Sequence, residues 1–403
     1  MRVLILSQYF SPEVGATSTR VHSFAAGLAA RGHDVEVICE VPNHPQGVVH
    51  DGYRGRIVRR QRLDGFHGSW VWVRTRPHKT TRDRLAFYGS YLAMATAWGS
   101  ALARPDVVLA SSPPLPVALA GALVARRHRV PFVLDIRDLW PLAATAVGEL
   151  SNPRALRLAE RLERFLYREA AAIATVTEPF VAHITAVPGV RAPIALIPNG
   201  TTRLWLNAAA LEPDRAALGL PPDEFVWAFA GNLGLAQGLE TAIEAAALLG
   251  PRHRLVLLGD GAERRPLERL AADIAPGLVE FRDQIPPERA AELLRGADAL
   301  LVSLRADPNL GAFVPSKLFD FCALGRPVLL AADGEPRRLV ERGRVAVPVR
   351  AGDAAELAAA VRGLRDSPAE REALAAAARR FAAGTLRHAQ VERLEALLSD
   401  AIR

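Results

Sequence analysis

Short apolar runs alternate with amphipathic segments from the start of the chain. The runs have the length and composition of strands buried on both faces, and in the first half they are VLILS (3–7), DVEVIC (34–39), DVVLA (106–110) and PFVLDI (131–136). Between them, apolar residues recur every three or four positions, as in the segment that begins near Thr17 and ends at Gly32 and in the helix expected from Arg82 to Ala103. Strands that alternate with amphipathic helices predict an α/β fold with parallel sheets.

The alternation stops once and then resumes. Residues 204–224 are irregular and rich in proline, and a new strand-like run, FVWAFAG, begins at Phe225. Further runs follow, separated by helical segments: LVLLG (255–259), LVEF (278–281), ALLVSL (299–304) and PVLLAA (327–332). The interruption predicts a domain boundary between Gly200 and Glu224.

Several predicted strands lead through glycine turns into helices. The turns contain Gly15 in the first half, and GNLGLAQGLE (231–240) and GDGAE (259–263) in the second. Free amides and the helix dipole make such turns suitable for anions. Many α/β domains that bind no phosphate begin in the same way, so one turn leaves the function open. Several glycine turns on one edge of a sheet favour a nucleotide-binding site.

One stretch, AFVPSKLFDFCALGRPVLLAA (312–332), combines a helix start with two charged groups. Pro315 suits the first turn and Ser316 can accept from free amides, so we predict that a helix begins near Pro315. Lys317 then lies in the first turn, where the dipole disfavours a cation unless an anion binds at the same terminus. Asp320 falls on the same helical face. A nucleoside diphosphate needs both groups; a local Lys–Asp pair on a solvated face is the alternative.

Lysine is rare in this chain, which makes Lys317 more informative. Of the 50 Lys and Arg residues, only Lys79 and Lys317 are lysine. Where arginine is the default cation, a lysine in a helix-start motif suggests that a compact ammonium fits there better than a planar guanidinium. Drift in codon usage is the alternative explanation for either lysine.

A second polar group follows the predicted strand PFVLDI. DIRDLWP (135–141) places Asp135, Arg137, Asp138 and Trp140 at a carboxyl end, where open α/β sheets bind ligands. Two carboxylates, a guanidinium and an indole could orient a sugar or take part in proton transfer. An internal Asp–Arg pair that caps the next element is the alternative, and from spacing alone it is favoured.

The composition limits the classes of protein to consider. The chain has 403 residues, half of them apolar, which favours two domains. No apolar run approaches the roughly 18 residues of a membrane span, and MRVLILSQYF becomes polar too early for a signal peptide, so we expect a cytoplasmic protein. Cys39 and Cys322 lie far apart in apolar surroundings, which predicts buried, reduced thiols.

The net charge of +7 is unevenly distributed. Residues 1–200 hold 24 Lys and Arg against 15 Asp and Glu, whereas residues 201–403 hold 26 against 28. Within 51–84, ten basic residues stand against three acidic ones and are interleaved with Tyr53, Phe66, Trp70 and Trp72. Such a stretch suits nucleic acid, an anionic membrane or a phosphorylated acceptor. A solvated basic loop is the alternative.

An ordered set of motifs makes the chain similar to a known family. The motifs are YFSPEVGATSTR (9–20) with HSFAAGLAARGHDV (22–35), DIRDLWP (135–141), IPNG (197–200), GNLGLAQGLE (231–240) and FVPSKLFDFCALGRPV (313–328). In this combination the chain resembles retaining glycosyltransferases of family 4, most of all the branch that acts in bacterial polysaccharide and O-antigen assembly. The resemblance covers nearly the whole chain. It implies the α/β GT-B fold, in which two Rossmann-like, doubly wound parallel-sheet domains face a cleft, with C-terminal helices.

The resemblance also implies the domains and their ligands. Residues 1–200 would form the acceptor-binding domain, 201–224 a linker and 225–385 the donor-binding domain; 386–403 would form a C-terminal helix, for which packing back on the N-terminal domain is one option. The donor would be a nucleotide-diphosphate sugar, with UDP as the expected nucleotide, and neither a cofactor nor an obligatory metal is expected.

The family's functional positions can be matched one by one. By this match Gly15 approaches the donor diphosphate, Lys317 binds phosphate and Asp320 binds ribose hydroxyls. The chain departs from the pattern at Ala312, where the family has the first Glu of its Glu-x7-Glu motif. It departs again at two neutral residues, Asn232 and Gln237, where the family has Arg and Lys. Lys317 should therefore carry more of the diphosphate's charge.

The expected site has three parts, and no metal ligand is among them. The catalytic candidates are Lys317, Asp138 and Arg137. The donor would contact Gly15, Gly231, Asn232, Gln237, Gly238, Phe313, Val314, Pro315, Ser316 and Asp320. The acceptor would contact His22, Arg20 and Trp140.

The expected reaction moves a sugar with retention to a lipid-linked or other glycan acceptor in cell-surface polysaccharide synthesis. The resemblance suggests a front-side transfer in which the leaving diphosphate accepts the acceptor's proton. The stretch 51–84 would meet the inner face of the plasma membrane, with no nucleic acid as partner. Alternatives are a glycosyltransferase of a soluble natural product, a GT-B nucleotide-sugar epimerase and a non-catalytic binder of nucleic acid.

Overall fold

Two sheets organise the chain, each in its own unit. The structure is a computed structural model, and it describes residues 1–13, 15–43, 47–77, 80–146 and 152–403. Unit 1 contains Met1–Pro198 together with Arg387–Arg403, and unit 2 contains Asn199–Leu386.

Unit 1 is built on an eight-stranded sheet. Its strands are β1 (Arg2–Leu6), β2 (Asp34–Glu40), β3 (Val58–Arg62), β4 (His67–Val71), β5 (Val107–Ser112), β6 (Phe132–Ile136), β7 (Ala172–Thr175) and β8 (Ile194–Leu196). They lie in the order β3-β4-β2-β1-β5-β6-β7-β8, and the pairs are parallel except for β3 with β4. The order reverses between β1 and β5, and ligands bind at the carboxyl ends of such a switch point.

The helices of unit 1 agree with the apolar spacing. They are α1 (Ala16–Ala30), α2 (Thr81–Ala101), α3 (Leu115–His128), α4 (Leu142–Ala146), α5 (Pro153–Glu169) and α6 (Glu178–Thr185). The buried face of α1 includes Val21, Phe24, Ala25 and Leu28. The helix predicted from Arg82 to Ala103 is confirmed as α2, which begins at a capping box formed by Thr80 and Asp83.

The hairpin of β3 and β4 has no counterpart among the predicted elements. β3 reads VRRQR, with no apolar period to mark it as a strand. It is held by antiparallel pairing with β4 and by Arg60, whose guanidinium donates to both carboxylate oxygens of Glu36 at 3.1 and 2.8 Å. Phe66 and Trp70, two of the four aromatic residues assigned to the basic stretch, are buried at 1% exposure each.

Unit 2 is built on a six-stranded parallel sheet in the order β11-β10-β9-β12-β13-β14. The strands are β9 (Phe225–Ala230), β10 (His253–Leu258), β11 (Val279–Arg282), β12 (Ala299–Ser303), β13 (Val328–Ala331) and β14 (Val347–Val349). The helices are α7 (Arg203–Ala208), α8 (Glu240–Leu249), α9 (Arg264–Ile274), α10 (Pro287–Gly296), α11 (Lys317–Ala323), α12 (Glu335–Gly343), α13 (Ala354–Asp366) and α14 (Pro368–Ala383).

Helices cover both faces of this second sheet, as its continuous apolar strands require. Alternate residues of β9 show the two sides. Val226 and Ala228 pack with α10, α11 and α14, whereas Trp227 and Phe229 pack with α8, α9 and α13. α11 begins at Lys317, two residues after the predicted start, and the expected cap by the Ser316 side chain is wrong, because that side chain makes no capping hydrogen bond.

The last helix, α15 (Arg387–Ile402), belongs to unit 1. It lies so close to α1 that a β-carbon at Gly27 would come within 2.5 Å of the Val391 side chain. Glu395 pairs with Arg31 and with His33 on the segment that ends α1. In the described ranges, no helix of either unit has the length and apolarity needed to cross a bilayer.

Candidate functional site

The glycine loop after β9 is in contact with Lys317. Gly231 has φ 133°, which a side chain would strain, and a β-carbon there would lie 2.9 Å from Lys317 Nζ. The loop ends at Gly238, with φ 57°, where a β-carbon would lie 2.9 Å from the Cα of Arg305. Two residues that the sequence suggested for the donor, Gly231 and Gly238, thus mark the ends of one loop beside the ammonium.

Within the part of the chain that the structure describes, Lys317 has no charged partner. Its Nζ lies 3.6 Å from the centroid of the Phe229 ring, which is a cation–π contact. Burial lowers the pKa of Lys317 to about 7, and no charged side chain among the described residues counteracts this. A bound anion would therefore restore and stabilise the positive charge.

Asp320 lies one turn further along α11. Its Oδ1 accepts a hydrogen bond of 3.0 Å from Oγ1 of Thr201, a residue 119 positions away in sequence and fully buried. Thr201 was not among the predicted site residues. IPNG pointed to its neighbourhood, but no local pattern could identify a contact across so many residues.

The other donor candidates line the same end of the sheet. Phe313, Val314, Pro315 and Ser316 are partly buried in the segment that leads into α11. The amide of Phe313 donates to the carbonyl of Leu310 at 3.0 Å, which makes this segment a turn.

The two neutral residues of the glycine loop lie beside its backbone. Asn232 directs its side chain along the loop towards Gly234. The carbonyl of Gln237 accepts from Oγ of Ser303 at 2.7 Å. Oε1 of Gln237 is buried and has no hydrogen-bond partner in the described part of the chain, so it is available to a ligand.

In unit 1, Arg20 and Asp135 form a buried ion pair. The guanidinium donates to both carboxylate oxygens at 3.2 and 2.8 Å, and the two residues are 2% and 0% exposed. Arg20 also donates to the carbonyls of Ile197 and Pro198. It thus joins α1 to β6 and to the segment after β8, an arrangement that favours a structural role over contact with an acceptor.

Arg137 and Asp138 follow β6 and differ in their surroundings. Arg137 donates to Ser111 Oγ at 2.8 Å and to the carbonyl of Pro113 at 2.6 Å, and it contacts Thr17 Oγ1. Burial lowers the pKa of Arg137, while burial raises the pKa of Asp138 against the opposing charge of Arg137. A carboxyl with a raised pKa is suited to binding or deprotonating a hydroxyl. Trp140 is partly buried two residues further on.

His22 lies between a hydroxyl and a carboxylate. Its Nδ1 is 3.3 Å from Ser11 Oγ and its Nε2 is 2.8 Å from Asp64 Oδ2, and the ring stacks on Phe10. Gly15, at the start of α1, is exposed, and a β-carbon there would meet no atom within 4 Å. This open backbone leaves room for a ligand. The structure thus places His22, Gly15, Arg137 and Arg20 on or beside α1.

In the described ranges, no three His, Cys, Asp or Glu side chains are grouped so as to hold a metal ion. Cys39 and Cys322 are both buried free thiols, as predicted.

Comparison with known proteins matches both units to glycosyltransferase domains. Residues 15–200 match the family described as "Glycosyl transferase 4-like domain", and residues 224–367 match "Glycosyl transferases group 1". A D-inositol 3-phosphate glycosyltransferase of Catenulispora acidiphila is 31% identical over 299 residues, which are 70% of this chain and 69% of that one. The "putative colanic acid biosynthesis glycosyl transferase WcaI" of Escherichia coli K12 is 26% identical over 351 residues, or 83% of this chain and 84% of that protein.

A solved structure shows the same fold. The Anabaena protein HepE, crystallised with UDP and glucose, superposes with a TM-score of 0.75 at 17% identity over 99% of this chain and 100% of HepE. The two Rossmann-like parallel-sheet units and the C-terminal helices are those of the GT-B fold. The protein belongs to glycosyltransferase family 4 and is a glycosyltransferase (EC 2.4).

Proposed function

We propose that this glycosyltransferase moves a hexose or N-acetylhexosamine, with retention, from a UDP-sugar to a lipid-linked or other glycan acceptor in cell-surface polysaccharide synthesis. The observation that carries the donor half is the position of Lys317. An ammonium without a charged partner among the described residues lies 3.6 Å over Phe229 and against Gly231, at the carboxyl end of β9. That is where an open parallel sheet binds a diphosphate.

The chemistry of unit 2 fits a nucleoside diphosphate. Lys317 would meet the phosphates, and Asp320 on the same helix would accept hydrogen bonds from ribose hydroxyls. UDP is preferred because HepE was crystallised with UDP. Arg and Lys of the family pattern are replaced by Asn232 and Gln237, so Lys317 would be the main charge on the diphosphate.

The acceptor half of the proposal lies in unit 1. Asp138, with its raised pKa, would hold an acceptor hydroxyl, and His22 would contribute a second hydrogen bond. In the proposed transfer, the bond between the anomeric carbon and the diphosphate oxygen breaks. The acceptor oxygen bonds to that carbon on the same face, and its proton passes to the leaving diphosphate. Lys317 and nearby amides stabilise the charge that develops on this leaving group.

A lipid-linked acceptor would require contact with a membrane, and unit 1 offers a surface for it. We define the basic face as exposed Ile57, Trp72 and Leu85 with the exposed arginines Arg54, Arg56, Arg74, Arg76, Arg82 and Arg84. Lys79, in the same stretch, lies outside the described residues. Apolar side chains surrounded by arginines are suited to an anionic bilayer surface, and we propose that the protein binds there peripherally at the inner face of the plasma membrane.

The donor proposal is tested with nucleotides and one substitution. UDP-sugars should raise the melting temperature of the protein more than GDP- or dTDP-sugars at equal concentration. Lys317→Ala should abolish sugar transfer while leaving the circular dichroism spectrum unchanged, because the side chain has no ion pair with any described residue that the substitution would remove. Near-normal transfer by Lys317→Ala, or no stabilisation by any nucleotide sugar, would contradict the proposal.

A further inference from the structure

We infer that Thr201 is a positioning residue that aims the Asp320 carboxylate at the ribose of the donor, so that this threonine sets how strongly the protein distinguishes a ribonucleotide. The inference rests on the proposed function and extends it to a residue outside the family motifs matched above. It begins from a hydrogen bond that joins the start of unit 2 to α11.

The backbone of Thr201 is fixed from two sides. Its amide donates to the carbonyl of Thr385 at 3.1 Å, and Thr201 forms a parallel β-bridge with Leu386. The segment that ends unit 2 therefore holds the segment that begins it. Since Thr201 is 0% exposed, its side chain is surrounded by protein, and the hydrogen bond that its hydroxyl makes gives this group a defined direction.

That direction is towards Asp320. Thr201 Oγ1 donates to Asp320 Oδ1 at 3.0 Å. This length is within the ordinary range for a hydroxyl donor, and the bond restricts rotation of the carboxylate about its side-chain bonds. A β-branched threonine adds to this effect because its own χ1 is restricted.

The geometry leaves Asp320 suited to a second task. An ionised carboxylate can accept about four hydrogen bonds on its two oxygens, and Asp320 is only partly buried in α11, three residues after Lys317. A carboxylate that is already oriented loses less conformational entropy when it binds vicinal hydroxyls. Thr201 would thus contribute to affinity without touching the donor.

A purely structural role for Thr201 predicts a different pattern. If the hydrogen bond only attached α11 to the rest of unit 2, its loss would make the whole site less ordered and would weaken the binding of all nucleotides to the same extent. If it orients Asp320, its loss should matter only for ligands with ribose hydroxyls. The binding of a nucleotide that lacks these hydroxyls distinguishes the structural role from the orienting role.

The experiment compares UDP with 2′,3′-dideoxy-UDP as ligands of the full chain, by isothermal titration calorimetry. Thr201→Val keeps the shape of the side chain and removes the donor. We expect this variant to bind UDP about 3- to 10-fold more weakly, which corresponds to the loss of one hydrogen bond. Its affinity for dideoxy-UDP should change by less than about twofold. Thr201→Ser, which keeps the hydroxyl, should bind UDP nearly as the unmodified protein does.

Two further variants complete the design. Thr385→Val is the matched control, since its hydroxyl donates to the Ala382 carbonyl at the end of α14 and not to Asp320; it should leave both affinities unchanged. Thr201→Ala replaces the valine variant if that variant does not fold. Equal weakening of both ligands by Thr201→Val or Thr201→Ala would overturn the inference and leave the proposed function intact. Failure of the unmodified protein to bind UDP would refute the UDP-donor proposal, and the inference with it.

Discussion

At the scale of single residues, the ammonium of Lys317 is destabilised in the free protein, and a bound anion would stabilise it. A lysine that is moved out of water loses hydration, and the Phe229 ring replaces only part of it. The consequence is a pKa lowered to about 7, so that near neutral pH much of the free protein carries a neutral amine. A diphosphate that arrives next to Nζ would favour the charged form, so binding and protonation should be coupled.

This coupling can be measured as proton uptake. At pH 8, where UDP is fully ionised, binding of UDP should take up close to one proton as Lys317 changes from neutral to charged. Titration calorimetry in buffers of different ionisation enthalpy gives this number, and affinity should fall as pH rises above about 7. Lys317→Arg is the control, because a guanidinium stays charged and should take up none. Equal uptake by both proteins would contradict the assignment.

The lowered pKa of Lys317 also determines how the free energy of unfolding of the free protein changes with pH. The folded pKa of Lys317 is below its ordinary value of 10.5, so between about pH 7 and 10.5 the unfolded chain binds more protons than the folded one. The contribution of Lys317 to the free energy of unfolding therefore rises with pH in this range, whereas the affinity for UDP falls.

At the scale of elements, apolar spacing was sufficient for most of the structure. α1 and α2 could be predicted from the spacing of their apolar residues. The capping box of Thr80 and Asp83 was not part of the prediction, and the predicted cap at Ser316 is wrong. β3 could not be predicted, because VRRQR becomes a strand only through its pairing with β4. The role of Thr201 could not be predicted for the same reason, since its partner Asp320 is distant in sequence and close only in the fold.

The hairpin changes how the basic stretch should be understood. Phe66 and Trp70 point into the core, whereas Ile57, Trp72 and Leu85 are 72%, 46% and 68% exposed. The amide of Trp72 donates to the carbonyl of Ile57 at 2.8 Å, so these two exposed residues lie side by side. The stretch is thus divided into buried aromatic residues that pack in the core and the exposed residues of the basic face.

The basic face predicts binding to anionic vesicles. The protein should sediment with vesicles that contain phosphatidylglycerol and not with pure phosphatidylcholine, and added salt should weaken the binding. Ile57→Ser combined with Leu85→Ser should reduce binding roughly a hundredfold or more, because two inserted side chains contribute about 1.5 kcal/mol or more each. Leu248→Ser is the control, at a residue of unit 2 that is 57% exposed. An equal loss in the control, or binding independent of lipid charge, would contradict the membrane proposal.

At the scale of the whole molecule, the last helix completes the unit in which the chain began. Val391, Leu394 and Leu398 of α15 are 0–2% exposed, and Glu395 pairs with Arg31 and His33 of unit 1. Unit 2 has its own core, in which alternate strand residues meet helices on both faces of the sheet. Chain order and folding unit therefore differ. Apolar spacing shows only the order, whereas the family resemblance offered the return of this helix to the N-terminal domain as one option.

Fragments of the chain should reflect these units. Residues 199–386 should unfold cooperatively on their own and be stabilised by UDP, because the sheet, Lys317, Asp320 and Thr201 all lie within them. Residues 1–198 should be marginal, since α15 buries several apolar side chains worth about 1.5–3 kcal/mol each, a large part of a typical unfolding free energy of roughly 5–15 kcal/mol. Joining 387–403 to 1–198 through a flexible linker should restore a cooperative melt by circular dichroism. The same linker joined to a 387–403 segment carrying Leu394→Asp and Leu398→Asp should not. If 1–198 melts as sharply alone as with the native helix, α15 is an accessory to unit 1 and not a part of its core.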